Sequence, residues 1–346
     1  MHSPAPGRYD TMPYRRAGRS GLSVPAVSLG LWQNFGTATP FAAQREIILH
    51  AFDRGVTHLD LANNYGPPPG SAEESVGRIL RSDLAAHRDE LVVATKAGYR
   101  MRPGPHGEGG SRAYLLPSLD TSLRRLGLDH VDIFYSHRYD PTTHLEETIG
   151  ALGAAVESGR ALHAGISSYS AARTREALEV ADRIGVRLAV HQPSYSMVNR
   201  WIEQDDGDGS LLDVTADAGL GVLAFSPLAQ GLLSEKYLDG VPPTSRAAAG
   251  GSFSRELLTD RTLTSVRELA RIAAERGQTL PQLALTWCLR DARVTGVVVG
   301  ARTVEQLDDS LAALESRPLS AAEIATIDSV AVDAGVNLWG PRSSDL

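Results

Sequence analysis

Cysteine and long apolar runs are both scarce in this chain. Cys288 is the single cysteine among 346 residues, which excludes disulfide frameworks and cysteine-based zinc sites within one chain. No apolar run approaches the roughly 20 residues that a membrane-spanning helix needs. The amino-terminal segment carries Arg15 and Arg16, but no continuous hydrophobic stretch follows them. We therefore expect a cytoplasmic protein without a membrane segment.

Positive charge is also in short supply. The chain has 34 Lys and Arg residues against 41 Asp and Glu residues, for a net charge of −7. Because no basic stripe offsets this charge, we expect neither nucleic acid nor an anionic membrane as a partner. The length allows either two ordinary domains or one large α/β barrel.

Three common cofactor and metal motifs are absent. The sequence has no GxGxxG, no GxxxxGK[ST] and no HExxH, so a Rossmann-type glycine loop, a phosphate loop and a zinc protease site lose their support. The first absence also weighs against a doubly wound open sheet, which normally carries a glycine fingerprint after its first strand. We expect no metal site.

Eight short apolar runs alternate with longer amphipathic stretches. The runs are 24–30, 56–60, 90–96, 130–136, 162–167, 187–192, 221–226 and 295–300. Near-continuous apolar strands joined through helices indicate a parallel sheet that is buried on both faces. The count favours a closed (β/α)₈ barrel of the TIM type.

Two further segments refine the predicted barrel. Residues 12–23 (MPYRRAGRSGLS) resemble a short hairpin turning at Ala17 and Gly18, suited to closing the bottom of the barrel. The interval between the last two strands, 227–294, is much longer than the others and predicts a loop over the top face plus extra helix. We expect the barrel to cover residues 13–330, with terminal extensions at 1–12 and 331–346.

Polar and aromatic residues follow the ends of the predicted strands. They are Trp32, Asp60, Lys96, His137, Ser167, Ser168, Gln192, Phe225, Ser226, Gly300 and Arg302. Each one alone has an ordinary structural explanation, such as a strand cap or a buried histidine. In a barrel of this kind the carboxyl ends of all strands meet at one rim, where the chemistry gathers. Their coincidence at that rim favours a functional site.

Three of these groups, Asp60, Lys96 and His137, form a combination with a specific use together with Tyr65. A tyrosine hydroxyl has a pKa near 10 and needs a neighbouring cation to stabilise the phenolate that it leaves behind. Lys96 can be that cation for Tyr65, with Asp60 orienting the ammonium, while His137 hydrogen-bonds a carbonyl oxygen. This set is a proton donor for a developing alkoxide. No serine or cysteine nucleophile arrangement accompanies it, so hydride from a nicotinamide is the natural attacking group.

Several segments resemble the aldo-keto reductase family. They are HLDLANNYG, LVVATKAGY, VDIFYSHR, GISSYS, HQPSYSMVNRW, AFSPLAQGLLSEKY and VVVGARTVEQL. They occur in family order and at family spacing over residues 13–330. The chain is most similar to the branch containing bacterial L-glyceraldehyde 3-phosphate reductases and potassium-channel β subunits.

The resemblance implies a role for each rim residue. Tyr65 is expected to be the general acid, with Asp60, Lys96 and His137 supporting it. The residues expected to bind the cofactor are Trp32, Asp60, Ser167, Ser168, Gln192, Phe225, Ser226, Pro227, Leu228, Gln230, Gly231, Lys236, Arg246, Gly300, Arg302, Gln306 and Asp309. The expected cofactor is NADPH, because the guanidinium of Arg302 can bind a 2′-phosphate bidentately.

Two residues depart from the family pattern. Ser168 stands where many relatives have asparagine, and Phe225 stands where others have Tyr or Trp. We expect the shorter serine to alter one hydrogen bond to the carboxamide and the phenyl ring to keep its stacking. Neither change affects the proton-donating group.

The family resemblance leaves two classes of function open. The first is an NADPH-dependent reductase of small aldehydes and ketones, with L-glyceraldehyde 3-phosphate and methylglyoxal as expected substrates. The alternative is a cofactor-binding regulatory subunit of a membrane channel. His137 favours the enzyme, since the channel-associated relatives carry asparagine there. A homo-oligomer is an expectation of the resemblance alone.

The loop 99–112 follows Lys96 and is expected to overhang the pocket. It contains Arg100 and Arg102, and Arg112 ends it. We hypothesise that one of these arginines helps to hold a phosphorylated or dicarbonyl substrate.

Overall fold

Eight parallel strands close into a barrel in the computed structural model, which describes residues 2–238, 240–241 and 257–333. Their order around the barrel follows the chain, and the last strand pairs with the first. The barrel strands are β3 (Val27–Gly30), β4 (His58–Asp60), β5 (Val92–Ala97), β6 (Val131–Ser136), β7 (Ala161–Ser167), β8 (Leu188–Gln192), β9 (Gly221–Phe225) and β10 (Val294–Val299). Each strand overlaps one of the eight predicted runs, and the predicted (β/α)₈ barrel is confirmed.

A hairpin closes the amino-terminal end of the barrel. Its strands are β1 (Tyr14–Arg16) and β2 (Ser23–Pro25), which pair antiparallel. The turn enters the barrel, where Ala17 is fully buried. A side chain on Gly18, whose φ is 56°, would lie 2.0 Å from the carbonyl oxygen of Gly219, so the close approach requires glycine. The predicted hairpin is confirmed, although the run 24–30 is divided between β2 and β3.

Helices cover the outside of the barrel and present their apolar faces to it. Within the described residues they are α1 (Phe41–Asp53), α2 (Ser71–Ser82), α3 (Arg112–Leu126), α4 (Leu145–Glu157), α5 (Ala171–Arg183), α6 (Leu211–Ala218), α7 (Asp260–Glu275), α8 (Leu280–Cys288), α9 (Val304–Ala312) and α10 (Ala321–Val330). In α7 the residues Val266, Leu269 and Ala273 are buried at three-and-four spacing. The extra helix predicted between the last two strands is confirmed as α7 and α8. The Gly/Ala-rich part of that interval lies outside the described residues.

The strand register places the polar strand ends at one rim. Asp60 is the last residue of β4 and pairs with Gly30, the last residue of β3. Ser167 and Gln192 pair in the same way at the ends of β7 and β8. Because parallel strands end at the same side, these residues lie at the carboxyl-terminal mouth of the barrel.

The described residues contain neither a membrane-spanning helix nor a cluster of metal ligands. No helix there is both long and apolar enough to cross a membrane. The same ranges contain no group of three or more His, Cys, Asp or Glu residues that could hold a metal ion.

Candidate active site

A cleft of about 480 Å³ opens at the carboxyl-terminal mouth of the barrel. Its volume lies in the range of small-molecule and cofactor sites. Residues from seven of the eight predicted strand ends line it, and the loops after β3, β4, β9 and β10 complete the lining. The cleft therefore brings together side chains that are far apart in the sequence.

An ion pair between Asp60 and Lys96 lies at the base of the cleft. The Lys96 Nζ atom donates to both carboxylate oxygens of Asp60, at 2.8 and 2.7 Å. It also donates to the carbonyl oxygen of Leu61 at 2.8 Å. These three acceptors account for the three N–H groups of the ammonium. Gln192 donates from Nε2 to Asp60 at 2.8 Å, so the carboxylate is held from two sides.

Burial sets the electrostatics of this pair. The side chains of Lys96 and Asp60 are 0% and 2% exposed. Burial lowers the pKa of Lys96, because water no longer solvates the ammonium, and the Asp60 carboxylate opposes that effect. The pair thus compensates charges that would otherwise be very costly at this depth.

Tyr65 lies beside the ion pair. A turn after β4 places it there, since its backbone N–H donates to the carbonyl oxygen of Ala62 at 3.0 Å. The Lys96 Nζ atom is 5.0 Å from the centroid of the Tyr65 ring. The ring also lies 6.5 Å from that of Trp32 and 5.7 Å from that of His137. Tyr65, Asp60, Lys96 and His137 are therefore brought together.

The phenol of Tyr65 is held in its protonated form. Its pKa is raised well above 10, first because burial disfavours the phenolate and then because the Asp60 carboxylate repels it. The neighbouring Lys96 ammonium alone would lower this pKa, so burial and the carboxylate outweigh it. Tyr65 can therefore release its proton only to a base much stronger than a phenolate, such as an alkoxide.

His137 follows β6 and is held as a neutral imidazole. Its backbone N–H donates to the carbonyl oxygen of Ala97 at 2.9 Å, and its ring meets the ring of Tyr99 edge-on at 4.7 Å. Its pKa is lowered well below 6.5 by burial, and then by the positive charges of Lys96 and Arg138. A neutral imidazole in the wall of the cleft can donate a hydrogen bond to a carbonyl oxygen without carrying charge.

Most of the residues predicted to bind the cofactor line the same cleft. They are Trp32, Asp60, Ser168, Gln192, Phe225, Ser226, Pro227, Leu228, Gln230, Gly231, Lys236, Gly300, Arg302, Gln306 and Asp309. Ser167 is not on the lining, and its hydroxyl donates to the carbonyl oxygen of Gln192 at 2.8 Å. Arg246 lies outside the described residues.

The backbone beside the cleft adopts conformations that side chains disfavour. Within the described ranges, the non-glycine residues with positive φ are Ser168 (61°), Ser226 (55°), Ala229 (46°) and Gln230 (58°). Three of the four line the cleft. Such conformations cost about 1–3 kcal/mol each and cluster where a ligand is bound. This strain is independent support for a binding role of the loops after β7 and β9.

The outer end of the cleft is formed by α9 and the loop before it. The Arg302 side chain is exposed there, and its backbone N–H donates to Oε1 of Gln306 at 3.0 Å. Asp309 is already engaged, because its Oδ1 accepts a hydrogen bond from Gln282 at 2.7 Å. Thr279 also contacts the carboxylate of Asp309 at 3.1 Å.

Several lining residues were not predicted as site residues. They include Asn34, Asn64, Tyr99, Ser234 and Pro281. Asn64 and Tyr99 carry a usable signal, because each lies a few residues beyond a strand that ends at the rim. Pro281 carries none, because it belongs to α8 and reaches the cleft only through the packing of that helix.

Comparison with known proteins shows which family the chain belongs to. A model of the Aldo/keto reductase family matches residues 26–332. The Escherichia coli (strain K12) protein named "L-glyceraldehyde 3-phosphate reductase" is 53% identical over 342 residues, which cover 98% of each chain. A rice protein (Oryza sativa subsp. japonica) named "Probable voltage-gated potassium channel subunit beta" is 36% identical over 317 residues, covering 90% of this chain and 94% of the relative. The chain therefore is an oxidoreductase and belongs to the aldo/keto reductase family.

Proposed function

We propose that this oxidoreductase uses NADPH to reduce small aldehydes and ketones to alcohols, with L-glyceraldehyde 3-phosphate and methylglyoxal-like carbonyls as its substrate class. One observation carries the proposal: a protonated phenol, a neutral imidazole and a buried ammonium–carboxylate pair meet at the base of one cleft. The phosphorylated triose is suggested by the name of the 53%-identical relative.

The lining of the cleft fits a nicotinamide dinucleotide. Its inner part offers an amide and a hydroxyl from Gln192 and Ser168 beside the phenyl ring of Phe225. Its outer part offers two cations, Lys236 and Arg302. Amides suit a carboxamide, a flat ring suits stacking, and cations suit phosphates. The left-handed backbone described above also suits a ligand held against the loops.

We assign the holding residues by this chemistry. Gln192 and Ser168 hold the carboxamide, and Phe225 stacks on the nicotinamide ring. Residues 226–231 and Lys236 hold the pyrophosphate, while Arg302, Gln306 and Asp309 hold the adenosine end. When bound, the cofactor supplies the hydride that reduces the carbonyl carbon.

The protein supplies the proton and the orientation. Tyr65 donates its hydroxyl proton to the substrate oxygen as negative charge develops on it. His137 donates a hydrogen bond to the same oxygen and so fixes its direction. Lys96 lies close enough to favour the phenolate that remains, and Asp60 keeps the ammonium in place.

We further propose that NADPH is preferred over NADH. The Arg302 guanidinium is exposed at the outer end of the cleft and makes no ion pair within the described residues. It is therefore available for a 2′-phosphate, to which a guanidinium can donate two hydrogen bonds. Arg246 stays a second candidate from the sequence. The cytoplasmic location, the homo-oligomer and the domain limits at 13 and 330 also stay predictions.

Steady-state reduction assays test the proposal. Oxidation of NADPH and of NADH is followed with glyceraldehyde 3-phosphate, glyceraldehyde and methylglyoxal. We expect turnover of all three carbonyls, with a higher kcat/KM for NADPH than for NADH. Failure to oxidise either cofactor with any of these carbonyls would remove the proposed substrate class. Equal kcat/KM for both cofactors would remove only the proposed preference.

A further inference from the structure

We propose that Arg138 is the phosphate-recognition residue of the substrate site and that Glu108 competes with the substrate for it. This inference rests on the proposed function, because it identifies the feature that would select a phosphorylated aldehyde over an unphosphorylated one. It differs from the hypothesis drawn from the sequence, which placed this role on Arg100, Arg102 or Arg112.

The loop arginines are poorly placed for the role. Neither these three arginines nor Arg138 belongs to the cleft lining in the described part of the chain. Of the four, Arg138 alone has its guanidinium against an aromatic ring of that lining, the ring of Tyr99. The Arg112 guanidinium contacts the carbonyl oxygen of Gly150 at 3.4 Å, and its backbone N–H donates to Glu147 at 2.9 Å. These contacts direct Arg112 toward α4.

Arg138 is linked to the base of the cleft through one aromatic ring. Its guanidinium carbon lies 4.7 Å from the centroid of the Tyr99 ring. The same ring meets His137 edge-on at 4.7 Å, and both Tyr99 and His137 line the cleft. His137 in turn lies 5.7 Å from Tyr65, centroid to centroid. The guanidinium is thus one ring removed from the imidazole that faces the reacting carbonyl.

This placement matches the shape of a short phosphorylated aldehyde. Such a molecule carries its phosphate only a few bonds from its carbonyl carbon. We infer that, with the carbonyl oxygen beside Tyr65 and His137, the phosphate is directed along Tyr99 toward Arg138. Stacking on Tyr99 also holds the guanidinium in one plane, which favours bidentate binding of a phosphate.

Arg138 retains unused hydrogen-bond donors. Nε donates to the carbonyl oxygen of Gly98 at 3.3 Å, and Nη2 donates to Oε2 of Glu108 at 2.9 Å. A guanidinium has five N–H donors, and Nη1 has no acceptor in the part of the chain that the structure describes. The Arg138 side chain is 39% exposed, so an incoming phosphate can reach it.

Glu108 already accepts a hydrogen bond from the same guanidinium. Its side chain is 46% exposed, and ion pairs at such exposure contribute little net free energy. A phosphate carries more charge than one carboxylate and can accept from two nitrogens at once. The substrate therefore displaces Glu108, which otherwise lowers the apparent affinity for phosphorylated substrates.

The test compares two aldehydes that differ only in the phosphate. The ratio of kcat/KM for glyceraldehyde 3-phosphate to that for glyceraldehyde is measured at saturating NADPH. Arg138→Gln is expected to lower this ratio about tenfold or more, chiefly through KM. Arg138→Lys is expected to restore part of it, and Glu108→Gln is expected to raise it a few-fold.

Arg173→Gln is the matched control. Arg173 lies 4.7 Å from the centroid of the Tyr139 ring and pairs with Glu176. It repeats the stacked and paired setting of Arg138 on a ring that, unlike Tyr99, does not line the cleft. Its ratio should equal that of the wild type. An unchanged ratio in Arg138→Gln would overturn the inference, and so would an unchanged or lowered ratio in Glu108→Gln if Arg138→Gln does not fold.

The same experiment separates this inference from the proposed function. If the wild type reduces neither aldehyde, the proposed function fails. Calorimetric titration with glyceraldehyde 3-phosphate then decides the inference alone. Binding that Arg138→Gln weakens by about tenfold supports it, and equal binding by both proteins contradicts it.

Discussion

The inner and outer ends of the cleft are built in different ways. At the inner end, Asp60 and Lys96 are almost completely buried, and every N–H of the ammonium has an acceptor. At the outer end, Arg302 and Gln306 are exposed, and Arg302 makes no ion pair within the described residues. The inner groups stand on barrel strands, whereas the outer groups stand on a loop and the first turn of a helix.

This difference shows which of the two functions requires side chains in a fixed geometry. Proton transfer needs groups fixed in one geometry, and strands buried on both faces provide that rigidity. Recognition of a cofactor phosphate needs charge and reach, which an exposed arginine provides at little cost in stability. We therefore expect substitutions at the inner end to affect both stability and catalysis, and those at the outer end to affect cofactor preference.

The largest effect on stability is expected for Lys96→Met. This change leaves the Asp60 carboxylate buried without its cation, which typically costs about 3–5 kcal/mol. Urea unfolding at pH 7 measures the loss. Asp60→Asn added to Lys96→Met removes the stranded charge and should recover part of the stability, so the two effects will not be additive.

An exposed ion pair provides the matched control. Arg271 pairs with Glu275 on α7, with side chains that are 53% and 63% exposed. Arg271→Met is expected to leave the free energy of unfolding unchanged within the error of the measurement. If Lys96→Met lowered the free energy of unfolding no more than Arg271→Met does, the inner end would not depend on its buried ion pair. The proposed contrast between the two ends of the cleft would then be wrong.

A smaller, selective effect is expected for Arg302→Ala. Loss of a charged hydrogen-bonding partner costs about 1.5–3 kcal/mol of binding, so KM for NADPH should rise roughly tenfold or more. KM for NADH should stay the same, because NADH lacks the 2′-phosphate. Arg124→Ala, on the exposed side of α3, is the control and should alter neither value. Equal weakening for both cofactors would contradict the assigned role of Arg302.

A further effect is a pH dependence of stability, to which several buried histidines contribute. Burial lowers the pKa of His58 to about 4 and that of His191 to about 3, and it lowers the pKa of His137 well below 6.5. Between these values and 6.5 the unfolded chain binds protons that the folded chain does not. Stability is therefore complete above about pH 6.5 and falls below it, by up to about 1.4 kcal/mol per pH unit for each imidazole.

Urea unfolding at pH 7.5, 6.5 and 5.5 measures this slope. This window lies above the range in which paired carboxylates titrate, so it isolates the histidines. His106→Gln is the control, because His106 is exposed and its removal should leave the slope unchanged. Constant stability from pH 7.5 to 5.5 would show that the buried imidazoles are not held neutral.

The barrel was predictable from the sequence because its strands obey a local rule. Apolar runs such as 130–136 are short, β-branched and bounded by polar residues. All of the runs except 24–30 became strands within two residues of the predicted limits. The rim residues followed from those limits, since the carboxyl end of a parallel strand points to one side. Asp60, Lys96 and His137 could therefore be grouped before their distances were known.

Other features depend on packing, which no local pattern contains. The phenol of Tyr65 has a raised pKa because burial outweighs the nearby ammonium, and burial depends on the whole cleft wall. Ser167 ends a strand at the rim, yet its hydroxyl turns to a neighbouring backbone carbonyl. The stacking of Arg138 on Tyr99 joins two loops, and no local sequence pattern contains that contact.

The central claim is that Tyr65 donates the proton, and Tyr65→Phe tests it most directly. The phenyl ring preserves the packing against Trp32 and His137 and removes only the hydroxyl. NADPH binding, followed by calorimetry, and carbonyl reduction are measured on the same preparation. We predict unchanged binding and a kcat about 10²–10⁴-fold lower. Unchanged binding together with wild-type kcat would contradict the account, because another group would then be supplying the proton.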